Sequence, residues 1–267
     1  MIPDSGRKAW NERDLRSDLL ALGVPSNRDV LVHCSMRRVG ACSHGAATVV
    51  AAIRDVIGPD GSIVVPTQTP MNSTTSPAFL EATRGLDSSA RADYEAAMEA
   101  FDPAVTPSQG MGALAEYVRL RPTAVRSHHP QTSFSAFGPR AAELTAVHDL
   151  DCHLGERSPL GALYATDASV LLLGVGYEVC TAFHLAEYWL PAPRRRTHRC
   201  YIQVGGRRVR RDFNAVHLDD DDFDKLGDAY ERTQAVRYGK VGDADARVMP
   251  LRGAVDFARE WMIEHRG

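Results

Sequence analysis

The stretch that most constrains the fold is residues 168–190, ASVLLLGVGYEVCTAFHLAEYWL. Four consecutive apolar residues, Val170 to Leu173, run into Gly174 and Gly176. A short apolar run stopped by glycines reads as a buried strand followed by a sharp turn. Thr181 stands where an N-cap would, and residues 182–190 read as one helix stopped by Pro191. On that helix His184, Glu187 and Tyr188 fall at i, i+3 and i+4, which share a face. Glu178 lies in the loop before them. A strand, a glycine turn and a helix bearing a histidine and carboxylates aim polar groups into a cleft.

The flanking sequence supplies a sheet for that strand. Residues 12–22 carry Leu15, Leu19 and Leu22 at helical spacing and end at Gly23. DVLVH at 29–33 reads as a strand, residues 46–57 as an apolar-rich helix, and SIVVP at 62–66 as a second strand. Gln68 lies just past its end, where α/β proteins put ligand contacts. Residues 110–121 form the next helix pattern, and residues 127–138 read as a turn into a strand. Short helices are expected over 139–148 and 160–164. Two arms joined by Gly205 and Gly206 read as a hairpin over 201–213. A helix is expected from Phe223 to Arg232, a turn at 239–244, a short strand at 246–249 and a closing amphipathic helix at 251–264. The fold class is therefore α/β: a mixed, partly parallel central sheet flanked by helices, with a late hairpin. No repeat and no linker divides it, so residues 1–267 read as one domain. Residues 70–107 are polar and read as a lid or substrate-loop insertion.

Composition narrows the functions. The chain has 267 residues, 44% hydrophobic and 24% charged, with a formal net charge of -3. That balance gives no general attraction to nucleic acid or anionic membrane. No apolar run approaches the roughly 20 residues of a membrane span, and residues 1–14 lack a signal-peptide core. Five scattered cysteines form no metal or redox pair, which fits a reduced, cytoplasmic protein.

Several polar groups have two readings. Ser35, Met36, Arg37, Arg38, Val39 and Gly40 follow a buried strand directly, as a phosphate-binding turn would. The other reading is a surface turn with solvated arginines. The acids of residues 70–107, Asp102 among them, line a cation site in one reading and a solvated helix face in the other. Arg194, Arg195 and Arg196 read as a solvated edge. His184 is either a core histidine or a general base, with one carboxylate fixing its tautomer and another holding a cationic substrate. No G-x-S-x-G elbow and no H-E-x-x-H helix occurs, and no third ligand joins His184 and Glu187, so no metal is expected.

Six segments, in this order and spacing, resemble the aminoglycoside 3-N-acetyltransferase family, the antibiotic N-acetyltransferases. They are LVHCSMRRVG at 31–40, IVVPTQT at 63–69, PSQGMGALAEYVRLRP at 107–122, VRSHHPQTSFSAFGPRA at 125–141, SPLGALYATDASVLLLGVGYEVCTAFHLAEY at 158–188 and GKVGDADAR at 239–247. The resemblance implies an N-acetyltransferase using acetyl-CoA. Ser35 to Gly40 would cradle its pyrophosphate and pantetheine, with Ser108 and Met111 along the same channel. His184 matches the family's catalytic histidine, Glu178 an acidic position before it, and Asp224 an acid, often Glu, from a later helix. Asp224 is one methylene shorter. Gln68, Asp102 and Glu187 are the expected substrate contacts. The chain has Gln131 and Thr132 where the family often has Thr-His. The implied acceptor is an amine of an aminoglycoside or another polyamine or amino sugar, and a homodimer is compatible with the reading. Two other functions are consistent with the same residues: acylation of a biosynthetic amine, and CoA binding without turnover.

Overall fold

The computed structural model describes residues 9–266. Residues 1–8, part of the stretch expected to carry no signal-peptide core, and Gly267 lie outside the described residues. Helix α1 (Glu12–Leu22) leads through β1 (Val30–Cys34), the single turn α2 (Met36–Val39) and α3 (Ala46–Ile57) to β2 (Ile63–Pro66). Next come α4 (Pro77–Ala82), α5 (Ser88–Ala96), α6 (Gly112–Arg119), β3 (Val125–Arg126), β4 (Phe134–Phe137), α7 (Ala141–Thr145), α8 (Pro159–Ala165) and β5 (Ser169–Leu173). Two 3-10 turns, Tyr177–Val179 and Thr181–Phe183, precede α9 (His184–Glu187). The chain closes with β6 (Arg195–Val204), β7 (Arg207–Val216), α10 (Phe223–Glu231), β8 (Arg237–Val241), β9 (Ala244–Pro250) and α11 (Leu251–Arg266).

Seven strands form one sheet in the order β3-β4-β2-β1-β5-β9-β8, while β6 and β7 pair apart from it. β1 runs parallel to both β2 and β5, and the outer pairings are antiparallel. The mixed α/β class expected from the sequence is the one observed. β5 is buried along its whole length. Its side chains alternate between two cores, as a period of two requires. Val170 and Leu172 join Leu31, Val64 and Met249 under α8 to α11, while Leu171 and Leu173 join Val32, Val65 and Val248 under α1, α3 and α6. The chain goes from β1 to β2 on one side and returns through β5 on the other. Strand order thus reverses at β1, which opens a crevice at the carboxyl ends of β1, β2 and β5.

The local chemistry explains where elements stop. Asn11 caps α1 by accepting from the Asp14 amide at 3.0 Å, and Gly23 closes it in the left-handed region at φ 84°. Gly174, at φ 64°, is required twice over. The turn after β5 needs that conformation, and an added Cβ would lie 2.6 Å from Arg38 Cβ. Three expectations are corrected. Residues 239–241, expected to be in a turn, belong to β8, because β9 pairs with it from Ala244 to Val248. The hairpin arms extend to Arg195 and Val216, beyond the expected 201–213. The helix expected over 182–190 is instead the turn Thr181–Phe183 followed by α9. Thr181 does not cap it; its hydroxyl lies 3.3 Å from His33 Nε2.

Residues 70–107 carry α4 and α5. Phe79 and Met98 pack with Tyr201 of β6 in a small separate core, and Asn72 Nδ2 donates to the Tyr201 carbonyl at 2.7 Å. The insertion therefore sits on the hairpin. Among the described residues no helix is long and apolar enough to cross a membrane.

Leu172→Ala tests the two-core arrangement. Leu172 is fully buried, and removing its branched side chain should cost about 3 kcal/mol of unfolding free energy. Urea denaturation reads this directly. A loss below about 1 kcal/mol would mean that β5 is not held between two packed layers.

Candidate active site

The crevice at the ends of β1, β2 and β5 holds a cavity of about 460 Å³. Its floor is apolar, with Val32, Pro66, Leu114 and Ala115, and its walls bring polar groups from five parts of the chain. Ser35 follows β1, Gln68 follows β2, Glu178 follows β5, His184 opens α9, and Asp220 precedes α10. Gly110, Met111 and Gly112 line it at the start of α6. No side chain caps that helix, so its first-turn amides are available to a ligand oxygen.

His184 is 9% exposed and its ring borders the cavity. Its Nδ1 donates to Glu187 Oε2 at 2.7 Å, which leaves Nε2 as the lone-pair nitrogen. The two residues meet because positions i and i+3 of α9 share a face. Phe223 buttresses the ring with a centroid distance of 4.7 Å. Glu187 is 2% exposed and its second oxygen is also occupied. Oε1 accepts from Arg266 Nη1 at 2.6 Å and from the Asp219 amide at 2.9 Å. Arg266 also pairs with Asp222. A buried carboxylate thus joins the histidine, the last turn of α11 and the loop before α10.

His33 is a second histidine at the cavity, at the end of β1. Burial first, and then the nearby His184, push its pKa down to about 4. Cys34, also in the wall, is an inert thiol, because burial and then Cys42 push it up to about 12.

The expected site residues divide sharply. His184, Glu178, Ser35, Met111 and Gln68 line one cavity. Glu187 touches His184 but not the cavity, so it has no oxygen free for a substrate ammonium. Asp224 does not reach His184. It is exposed on α10, where burial and the neighbouring Glu178 carboxylate, which also hydrogen-bonds it, raise its pKa. Its short side chain meets Glu178 at the rim, and Glu187 is the carboxylate on the histidine. Of Ser35 to Gly40, only Ser35 lines the cavity. Val39 is fully buried in the core. Met36 packs against that core, Arg37 is exposed, Arg38 Nη1 donates to the Gly174 carbonyl at 3.0 Å, and the Gly40 amide closes the α2 turn. Ser108 is engaged by Glu116, which takes its amide at 3.1 Å and its hydroxyl at 2.7 Å. Burial would raise the Glu116 carboxyl, but bonds from Arg119 and Ser108 hold it at about 2. Asp102 accepts from the Ala104 amide at 2.9 Å in a turn outside the cavity.

The profile of the family described as Aminoglycoside 3-N-acetyltransferase matches residues 31–263. The chain belongs to the aminoglycoside 3-N-acetyltransferase family. It is 35% identical to the SPbeta prophage-derived aminoglycoside N(3')-acetyltransferase-like protein YokD of Bacillus subtilis, over 95% of this chain and 93% of that one. The crystal structure of YokD superposes with a TM-score of 0.91, covering 97% of this chain and 96% of that one, at 34% identity. Aminoglycoside N(3)-acetyltransferase VII of Streptomyces paromomycinus is 36% identical over 95% of this chain and 91% of its own. A binary complex of AAC-IIIb with CoASH aligns at 25% identity and a TM-score of 0.84, over 96% of this chain and 97% of that one. Family membership makes the chain an acyltransferase with acetyl-CoA as co-substrate. Among the described residues no group of three or more His, Cys, Asp or Glu side chains is arranged to hold a metal.

Sequence reasoning missed His33, Thr181 and Arg266. A histidine inside the apolar run VLVHC is a visible signal for the first. Arg266 gives none, because it meets Glu187 across 79 residues of chain.

The buried His33 and the half-buried His148 set a pH dependence of stability. His33 and His148 are held at about 4, in each case first by burial. The unfolded chain returns them to about 6.5. Below that pH the unfolded state binds more protons, so their contribution is intact above about pH 6.5 and is lost as the pH falls toward 4. At pH 5 each should cost about 2 kcal/mol. Melting temperatures recorded from pH 7 to pH 4.5 check this. A flat profile would show that these imidazoles charge freely when folded.

Proposed function

We propose that the chain transfers the acetyl group of acetyl-CoA directly to an amine of an aminoglycoside, the 3-N amine named for its relatives, with His184 as general base. The single observation that carries this reading is the His184–Glu187 pair beside a cavity whose floor is apolar and whose rim is acidic. The cavity fits the thioester and part of the pantetheine arm, and the nucleotide would extend outside it. Ser35, Gln68 and Met111 would border the arm.

The neutral amine nitrogen attacks the thioester carbonyl carbon, forming the C–N bond. His184 Nε2 takes the proton released from that nitrogen, and Glu187 stabilises the imidazolium from the other side. The C–S bond then breaks and the CoA thiolate leaves, recovering the proton from His184. The uncapped amides of α6 would hold the carbonyl oxygen as it gains charge. Glu178 and Asp220 at the rim suit the ammonium groups of an incoming amino sugar. Arg266 acts through Glu187 and is a positioning residue. The five free cysteines fit a reducing compartment and support a cytoplasmic location. A second acceptor class, an amine outside the antibiotics, is supported by the arginine-rich hairpin β6–β7, which repels a polycation.

Thiol release from acetyl-CoA, followed across an aminoglycoside panel, tests the reading. His184→Ala should lower kcat/KM by about 10³-fold, and Glu187→Gln by about 10- to 100-fold. A His184→Ala enzyme turning over at near the wild-type rate would refute the base assignment. Arg266→Gln should lower kcat with little change in KM for acetyl-CoA, since it alters the orientation of His184 and touches no substrate. It should also lower the melting temperature, because it leaves a buried carboxylate without its cation.

A further inference from the structure

The part of the molecule not used by this chemistry is the junction between the hairpin and the loops beside the cavity. From Arg195 to Val216 the hairpin carries seven arginines against one acid, Asp212. Asp212 is taken by Arg199 and Arg210. Against the other face of β6 lies a cluster of buried polar atoms. Among the described residues, the buried side-chain nitrogens and oxygens without a partner are Gln131 Oε1, His153 Nε2, Arg196 Nε and His198 Nε2.

These four belong to one place. The rings of His153 and His198 lie 4.4 Å apart, each with its centroid 5.4 Å from that of Phe213. They are 4% and 7% exposed. Arg196 stands two residues before His198 on β6, so both point to the same face. Arg196 Nη2 donates to the Thr75 carbonyl at 2.8 Å, and Thr75 Oγ1 lies 3.3 Å from His198 Nδ1. Gln131 Nε2 donates to the Arg199 carbonyl at 3.1 Å, which sets its amide against the same strand. The cavity is next door. Thr132 and Leu154 line it, and Thr132 Oγ1 donates to the His153 carbonyl at 2.9 Å.

The donor set selects the occupant. Arg196 is a permanent cation whose Nε–H can only donate, so a buried ammonium would be repelled there. The Nε2 atoms of the two imidazoles, His153 and His198, become a second and third donor when they carry protons, which an adjacent anion favours. Burial, then Arg196 and His217, now hold His198 at about 4, the state that a bound anion would reverse. Three unpartnered N–H groups in one cluster suit the oxygens of a tetrahedral oxyanion. The amide oxygen of Gln131 is left for a hydroxyl beside it.

We propose that Arg196, His198 and His153 form a binding site for a phosphate-class oxyanion carried by the acceptor, whose amine then reaches His184. The acceptor is an amine bearing an oxyanion, such as an amino-sugar phosphate. This rests on the transferase reading above for its second half, but the anion site does not.

The site is tested first with inorganic phosphate by isothermal titration at constant ionic strength. Saturable binding is expected in the wild type, weakened about tenfold in Arg196→Gln and in His198→Asn, with circular dichroism confirming that each variant folds. Failure of phosphate to bind, or binding unaltered in both folded variants, overturns the proposal. Acetyl transfer to glucosamine 6-phosphate is then compared with transfer to glucosamine. The ratio of kcat/KM should favour the phosphate in the wild type and fall about tenfold in Arg196→Gln. An unchanged ratio overturns the acceptor assignment. Acetyl-pantetheine, which has no phosphate, separates the two possible sources of the oxyanion. If the Arg196→Gln defect disappears with that donor, the site binds CoA and the proposal falls. If phosphate binds through Arg196 but neither these amines nor any aminoglycoside releases thiol, the anion site stands and the transferase reading falls alone.

Discussion

A buried carboxylate organises this molecule's site. Glu187 is all but excluded from water, and each of its oxygens is answered. His184 takes one, and Arg266 with the Asp219 amide takes the other. Burying such a charge without partners costs several kcal/mol. Its satisfaction therefore ties three distant parts of the chain together: the helical turn after β5, the loop before α10 and the end of α11. The same bonds orient the imidazole, so stability and the proposed chemistry depend on one contact network.

The sheet decides where that network faces. β1 has parallel neighbours on both sides, reached in opposite directions, and the strand ends diverge there. Ser35, Gln68 and the 174–183 turn are brought to one crevice for that reason. Its apolar floor and acidic rim are products of the two-sided burial of β1 and β5, which leaves only strand ends to carry polar groups. The hairpin, outside the sheet, contributes the opposite charge. Its arginines and the buried His198 lie outside the cavity wall, linked to it through His153, whose carbonyl accepts from Thr132.

Much of the fold was legible in the sequence, for local reasons. The apolar runs at 30–34, 63–66 and 169–173 could only be buried strands, and the leucine spacing in α1 only an amphipathic helix. The Gly205–Gly206 pair marked its hairpin, although the pairing ran further at both ends than propensity suggested. β8 was hidden because Gly239 and Gly242 signal a turn, and only the partner strand β9 draws the segment into the sheet. The turn at 181–183 was hidden because Thr181 has a better partner in His33 than in its own backbone. At the site, the i, i+3 pairing of His184 with Glu187 was readable from spacing alone. The assignment of Asp224 to the same histidine was not sound, since its direction depends on how α10 packs. Gly227 lets that helix lie against Tyr177, where a Cβ would come within 2.0 Å of the ring, and Asp224 is turned toward Glu178.

By itself, the sequence determined most of the elements, the mixed α/β class, the histidine–glutamate face and, through the resemblance of its ordered motifs, the family. The elements, the class and the face follow from periodicity, turn chemistry and spacing, which act over a few residues, whereas the family rests on the resemblance of its ordered motifs. Only the tertiary structure decided which groups share the cavity, that Arg266 clamps Glu187, and that His153, His198 and Arg196 meet. Those contacts join residues separated by tens of positions. They arise from burial and chain reversal, which no local pattern encodes.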